Sequence, residues 1–253
     1  MKKRFGQHFL SDRHLLQRIV RLAAVAPEDT VIEIGPGSGS LTRELAAAAR
    51  RVVAIEIDRD LIPALRATMP ENVEIVEGDA LDMNLERLAG SSFHLVGNLP
   101  YNIATPLLRK FIAARAQALD VTVMLQKEVA ERIRAKAGSG DYGPLSVLIQ
   151  YYAVPVWGFT VPPGAFTPKP KVDSAVIRLE WKSGVANNFA FTDFVHQAFG
   201  SRRKKLLNNL VSMFSRKTRE ELASALEASG VSRDARAETL SVEQFLDVYN
   251  QLQ

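Results

Sequence analysis

The spacing of hydrophobic positions changes character along the chain. From Thr30 onward, short β-branched runs alternate with stretches of helical spacing, which predicts parallel strands joined by crossover helices. The runs fall at residues 30–34, 52–57, 73–77, 93–97 and 121–126, with helices predicted at 41–49, 60–68 and 106–116. These runs are largely apolar rather than alternating, so the sheet is expected to be buried on both faces. A helix is predicted at 127–137, followed by the break Gly138-Ser139-Gly140. Two further strand-like runs, 154–161 and 174–181, flank a proline-rich loop over 162–170. They are expected to extend one sheet edge and to leave that loop at its rim. After Lys182-Ser183-Gly184 the strand signals stop, and helical periodicity occupies 191–199, 205–214, 219–228 and 242–252. Gly230 fits a helix stop, and Ser241 followed by Glu243 and Gln244 fits a helix start. The expected fold class is α/β, a doubly wound sheet over residues 1–183 with a small all-helical domain over 184–253.

Composition narrows the chemistry. The chain has 253 residues and no cysteine, which excludes thiol nucleophiles, disulfides and thiolate metal sites. No apolar run reaches the roughly 18 residues of a membrane span. Asp12 and Arg13 stand where the apolar core of a secretion signal would lie, so a cytoplasmic protein is expected. The histidines have no metal-ligand spacing, and no metal is expected.

Three features sit where successive parallel strands end. The first is Glu33-Ile34-Gly35-Pro36-Gly37-Ser38-Gly39, between a strand and a helix. Its glycines allow a sharp turn and close approach of a ligand to the backbone. A Walker loop would need a lysine that is absent, and the dinucleotide fingerprint would put its third glycine where Ser40 stands. What remains is a tight glycine loop of the methyl-donor type. The second is Glu56, placed to accept hydrogen bonds from both hydroxyls of a ribose, with Asp58 assigned to helix capping. The third is Asp79, after Gly78, where a carboxylate can accept from the exocyclic amine of an adenine. Together they outline one crevice at the carboxyl ends of the strands, where open parallel sheets bind ligands.

Asn98-Leu99-Pro100-Tyr101 follows the fourth strand. An Asn amide oxygen and the carbonyl of Leu99 or Pro100 can accept both hydrogens of an amine, while a Tyr ring can stack on the base that bears it. An exocyclic adenine nitrogen is a poor nucleophile because its lone pair is delocalised. Two acceptors localise that pair and aim it at an electrophilic methyl.

The chain resembles the small-subunit ribosomal RNA adenine dimethyltransferases over essentially its whole length. The likeness rests on Lys3-Arg4-Phe5-Gly6-Gln7-His8-Phe9-Leu10, the Glu33 to Gly39 loop, Asn98-Leu99-Pro100-Tyr101-Asn102-Ile103, Tyr142-Gly143-Pro144-Leu145-Ser146, Phe166-Thr167-Pro168-Lys169-Pro170-Lys171-Val172-Asp173-Ser174 and Arg202-Arg203-Lys204-Lys205-Leu206-Leu207-Asn208-Asn209-Leu210. The resemblance implies a Rossmann-like methyltransferase sheet with S-adenosylmethionine as donor and S-adenosylhomocysteine as product. It further implies dimethylation of N6 on two adjacent adenosines in a hairpin near the 3′ end of that RNA, by a monomer acting on an assembling small subunit. It places His8, Leu10, Gly35, Gly37, Glu56, Asp79 and Asn98 at the donor. Asn is common in the family where this chain has His8. Asn98, Leu99, Pro100 and Tyr101 would hold the target base, with Phe166 as a second stacking face.

The net charge of +4 decides nothing, but the basic residues cluster. Lys3 and Arg4, Lys169 and Lys171, and Arg202, Arg203, Lys204 and Lys205 are the expected RNA contacts, and Arg109 with Lys110 forms a further patch. Two rivals are a large-subunit adenine methyltransferase of the antibiotic-resistance type and a catalytically silent assembly factor that only binds RNA.

Overall fold

The computed structural model describes residues 8–100, 103–201 and 204–253. In chain order, β1 (Phe9–Leu10) leads into α1 (Arg13–Ala23), β2 (Thr30–Ile34), α2 (Ser40–Ala46), β3 (Arg51–Glu56), α3 (Ile62–Thr68) and β4 (Val73–Glu77). Then come α4 (Leu85–Ala89), β5 (Phe93–Asn98), α5 (Ala104–Ala113), β6 (Ala118–Gln126), α6 (Lys127–Arg134), α7 (Pro144–Tyr152), β7 (Ala153–Val161), β8 (Phe166–Thr167) and β9 (Ser174–Trp181). The chain ends in α8 (Phe189–Ala198), α9 (Leu206–Met213), α10 (Arg219–Ala228) and α11 (Val242–Leu252).

Seven strands form one sheet in the order β4-β3-β2-β5-β6-β9-β7. The strands from β4 to β6 are parallel, and β9 joins antiparallel to β6. The order reverses between β2 and β5, which opens a crevice at their carboxyl ends. The expected strands are therefore present, and the two late ones extend one edge. Burial on both faces holds for β2, β3, β5 and most of β6, whereas edge strand β4 is half exposed. On one face Val31, Val52, Val96 and Met124 pack beneath Leu16 and Ile19 of α1 and Leu41 and Leu45 of α2. Period two along the strands brings Glu33, His94 and Asp120 to that same face.

The amino-terminal end of this face carries a polar clamp. His94 spans Asp120 and Asp29 at 3.0 Å each, and Arg178 closes on Asp120 at 2.6 Å. Burial works against a charge on His94, but the two carboxylates outweigh it and hold its pKa above the usual histidine value.

The described residues divide into two compact units. One is the sheet unit, running to residue 130 and including Val154–Trp181; the other is helical, formed by Glu131–Ala153 with Lys182–Gln253. This corrects the single boundary expected at 183/184. Tyr142 and Val147 lie in one core with Phe191, Phe194, Leu210 and Phe245, so the segment before β7 belongs with the helices that follow β9. In that unit Thr218 and Ser241 make capping boxes with Glu221 and Gln244, which start α10 and α11 where the sequence places them.

Candidate active site

The β2–α2 connection folds as the glycines require. Gly35 and Gly37 have φ of +70° and +56°, and the amide of Gly35 donates to the Ile55 carbonyl at 3.0 Å. A Cβ on Gly37 would stand 2.7 Å from the Phe9 ring, so the arm before α1 lies against the loop in a contact only glycine allows. Glu56 ends β3, is 2% exposed, and accepts from Gly37 N at 3.1 Å and Asp58 N at 2.8 Å. Burial raises its pKa, and the two amide hydrogen bonds pull the other way. Asp79 follows β4 and accepts from Leu81 N at 2.8 Å through Oδ1.

Asn98 ends β5, and its Nδ2 donates to the His8 carbonyl at 2.9 Å. Only the amide nitrogen can face a carbonyl, so this bond leaves Oδ1 as the acceptor on the other side. His8 is anchored in turn by Nδ1, which donates to the Pro168 carbonyl at 2.8 Å. Leu99 N donates to Met124 O at 3.1 Å, and the Pro100 carbonyl accepts from Ile103 N at 3.1 Å as α5 begins.

These groups surround one cavity of about 330 Å³. All seven expected donor residues line it, together with Leu99 and Pro100 of the expected base-binding group. Tyr101 lies outside the described residues. Phe166 is a correction. It pairs with Leu10 in a two-stranded sheet formed by β1 and β8, is 2% exposed, and packs into the core beneath α1, so it offers no free stacking face. Lys169, Lys171 and Lys204 are exposed, and Lys205 is also exposed but ion-paired with Asp234 at 2.6 Å. Lys3, Arg4, Arg202 and Arg203 lie outside the described residues.

Glu33 belongs to the glycine-loop motif read from the sequence, which assigns it no role. It lines the cavity, is 1% exposed, and its Oε2 has no hydrogen-bond partner among the described residues. An acid in the middle of the apolar run Thr30–Ile34 is the signal that marks it. Burial pushes its pKa from an ordinary 4.5 to about 8; Thr42 lowers it and nearby Glu56 raises it further. A carboxyl with a raised native pKa binds its proton more tightly when folded. Stability therefore falls as pH rises from about 4.5 to about 8 and is level above that. Glu33→Gln removes this titration. Unfolding measured from pH 5 to 9 should show the variant gaining on the native protein through the window, by up to about 1.4 kcal/mol per pH unit. Stability curves that stay parallel would refute the assignment.

Residues 1–253 match the sequence family Ribosomal RNA adenine dimethylase. The Ribosomal RNA small subunit methyltransferase A of Alkaliphilus metalliredigens is 42% identical over 96% of this chain and 88% of its own length. Among solved structures, a dimethyladenosine transferase from Plasmodium falciparum matches with a TM-score of 0.81 and 27% identity, covering 95% of this chain and 96% of that one. The 23S rRNA methyltransferase ErmE matches with a TM-score of 0.73 and 30% identity, covering 96% and 99%. With the glycine loop, Glu56, Asp79 and Asn98 gathered around one cavity and the sequence match running from end to end, the chain belongs to the ribosomal RNA adenine dimethylase family.

Proposed function

We propose that the protein dimethylates N6 of two adjacent adenosines in a hairpin near the 3′ end of small-subunit rRNA, with S-adenosylmethionine as donor and S-adenosylhomocysteine as product. It acts as a cytoplasmic monomer on assembling small subunits. The observation that carries this reading is the hydrogen bond from Asn98 to the His8 carbonyl, which presents Oδ1 in a cavity that also holds Glu56 and Asp79.

The residues present fit the donor. The cavity lies in the size range of small-ligand sites, at about 300–1,000 Å³. The left-handed glycines leave backbone open to a ligand, as the absence of a Cβ permits. Each Glu56 oxygen takes one backbone amide and keeps a lone pair for a ribose hydroxyl. Asp79 uses Oδ1 for its own turn, and Oδ2 serves the exocyclic amine of the donor's adenine. His8 and Leu10 wall the cavity from the amino-terminal side. When bound, the donor supplies an electrophilic methyl group on a sulfonium sulfur.

Asn98 Oδ1 accepts one hydrogen of the target amine. The second acceptor is the carbonyl of Leu99 or of Pro100; the Pro100 carbonyl also takes Ile103 N, which fixes its direction and leaves it one further lone pair. With both hydrogens held, the nitrogen lone pair is freed from the ring and aimed. The methylated nitrogen is acidic enough to lose its proton to solvent, so no separate general base is required. Tyr101 stacks on the flipped base, and aromatic stacking offsets the cost of unstacking it from the RNA. Lys169, Lys171, Lys204 and Lys205, with Lys3, Arg4, Arg202 and Arg203, contact phosphates.

Small-subunit relatives are closer in sequence than ErmE, at 42% against 30%, which favours the small-subunit substrate. Incubation with labelled donor and unmethylated small subunits, followed by mapping of the modified nucleotides, is expected to find two adjacent dimethyladenosines in the small-subunit RNA. Transfer to large-subunit RNA alone, or none at all, would overturn the reading.

A further inference from the structure

Lys110 does not behave as a member of a surface basic patch. Its neighbour Arg109 is exposed, but Lys110 is half buried and its Nζ donates to the Leu81 carbonyl at 2.7 Å. Leu81 is the residue whose amide holds Asp79 Oδ1. The segment from Gly78 to Asp82 is otherwise fixed by its own turn, Asp82 N to Asp79 O, and by Gly78 N to Glu56 O at its start. Among the described residues, Lys110 makes the one side-chain hydrogen bond that reaches this segment from another element. That element is α5, which starts immediately beyond the Pro100–Ile103 turn at the cavity wall.

We propose that Lys110 is a positioning residue for recognition of the donor's adenine, tying the loop that carries Asp79 to the helix that opens from the base-binding segment. The proposal rests on the reading of Asp79 as the acceptor for the adenine amine. A charged donor on a backbone carbonyl is among the stronger hydrogen bonds available, and here it is shielded on α5. With it, the Asp79 carboxylate meets the base already aligned. Without it, no hydrogen bond among the described residues ties the far end of the loop to another element.

The test compares two ligands on the full-length protein by calorimetric titration: S-adenosylhomocysteine, and its analogue with hydrogen in place of the 6-amino group. The native protein is expected to prefer the adenine ligand. Lys110→Met should weaken binding of S-adenosylhomocysteine about tenfold, equivalent to about 1.4 kcal/mol, and change the affinity for the analogue less than twofold. Lys110→Gln gives the same selective loss and serves as the readout if the Met variant does not fold. Equal loss on both ligands would reduce Lys110 to a general structural support, and no loss would remove any role; either result overturns the proposal. If the native protein binds the two ligands equally, the Asp79 reading itself fails, and the inference from Lys110 falls with it.

Discussion

Asn98→Ala is expected to lose both methyl transfers while keeping the fold. Its Nδ2 makes a single hydrogen bond, to the His8 carbonyl, and a bond of that kind contributes about 0.5–1.5 kcal/mol to stability. The variant should therefore melt only slightly below the native protein. Activity is another matter, because the side chain supplies one of the two acceptors that localise the amine lone pair. Loss of one preorganised polar group at a reacting centre costs about 10²–10³ in rate, and here the arm at His8 loses its tie to the site as well. Asn98→Asp separates the two roles. It keeps an acceptor oxygen but turns another toward the His8 carbonyl, where two acceptors repel. Mass analysis of RNA treated with each variant gives the answer, and unimpaired dimethylation by Asn98→Ala would sink the assignment. Double methylation adds a constraint on the same pocket. After the first transfer one hydrogen remains, so one acceptor loses its partner and the cavity must admit a methyl group. A bulkier residue at the wall is therefore expected to halt the reaction at the monomethyl product.

Much of the sheet unit can be read along the chain because its strands are short runs rich in β-branched residues, set apart by stretches of helical spacing. Thr30–Ile34, Val73–Glu77 and Ser174–Trp181 fall where the pattern predicts them. Helix α1 lies outside the predicted elements although Leu16, Ile19 and Ala23 have helical spacing and Asp12 caps them. It precedes the alternation that organises the rest. Helix α7 is hidden for a different reason. Leu145 through Ile149 are all buried, so no polar face marks the period. The domain boundary near 183 and the stacking role of Phe166 fail for a shared cause, which is that packing partners are distant in sequence. Phe166 meets Leu10 across the chain, and Tyr142 meets Phe199 with ring centres 6.3 Å apart. Charge is equally silent about context. Arg109 and Lys110 carry the same charge on adjacent positions, yet Lys110 ties down a loop and Arg109 is exposed.

Donor binding is expected to fall by about 100-fold, close to 3 kcal/mol, when Glu56 becomes Gln. The substitution keeps the shape of a side chain that is 2% exposed, so it creates no cavity. What changes is polarity. Both oxygens of Glu56 accept from backbone amides, Gly37 N on one side and Asp58 N on the other. A carboxamide can satisfy only one of them, and its NH₂ then confronts the other N–H. If it turns from Gly37, the glycine loop keeps only the Gly35 N bond to the Ile55 carbonyl of β3; if from Asp58, the start of the next loop loses its tie to the Glu56 side chain. Either orientation also replaces one of the two acceptors available to the ribose hydroxyls with a donor. Glu56→Ala would expose the same requirement less cleanly, because it strands two buried amides at about 1–3 kcal/mol each and lowers stability along with affinity. Titration of Glu56→Gln with S-adenosylhomocysteine, alongside its melting temperature, separates the two effects. A folded variant with native affinity would show that the ribose is held elsewhere, and the argument from the carboxyl ends of β2, β3 and β4 to a nucleoside donor would lose its middle term.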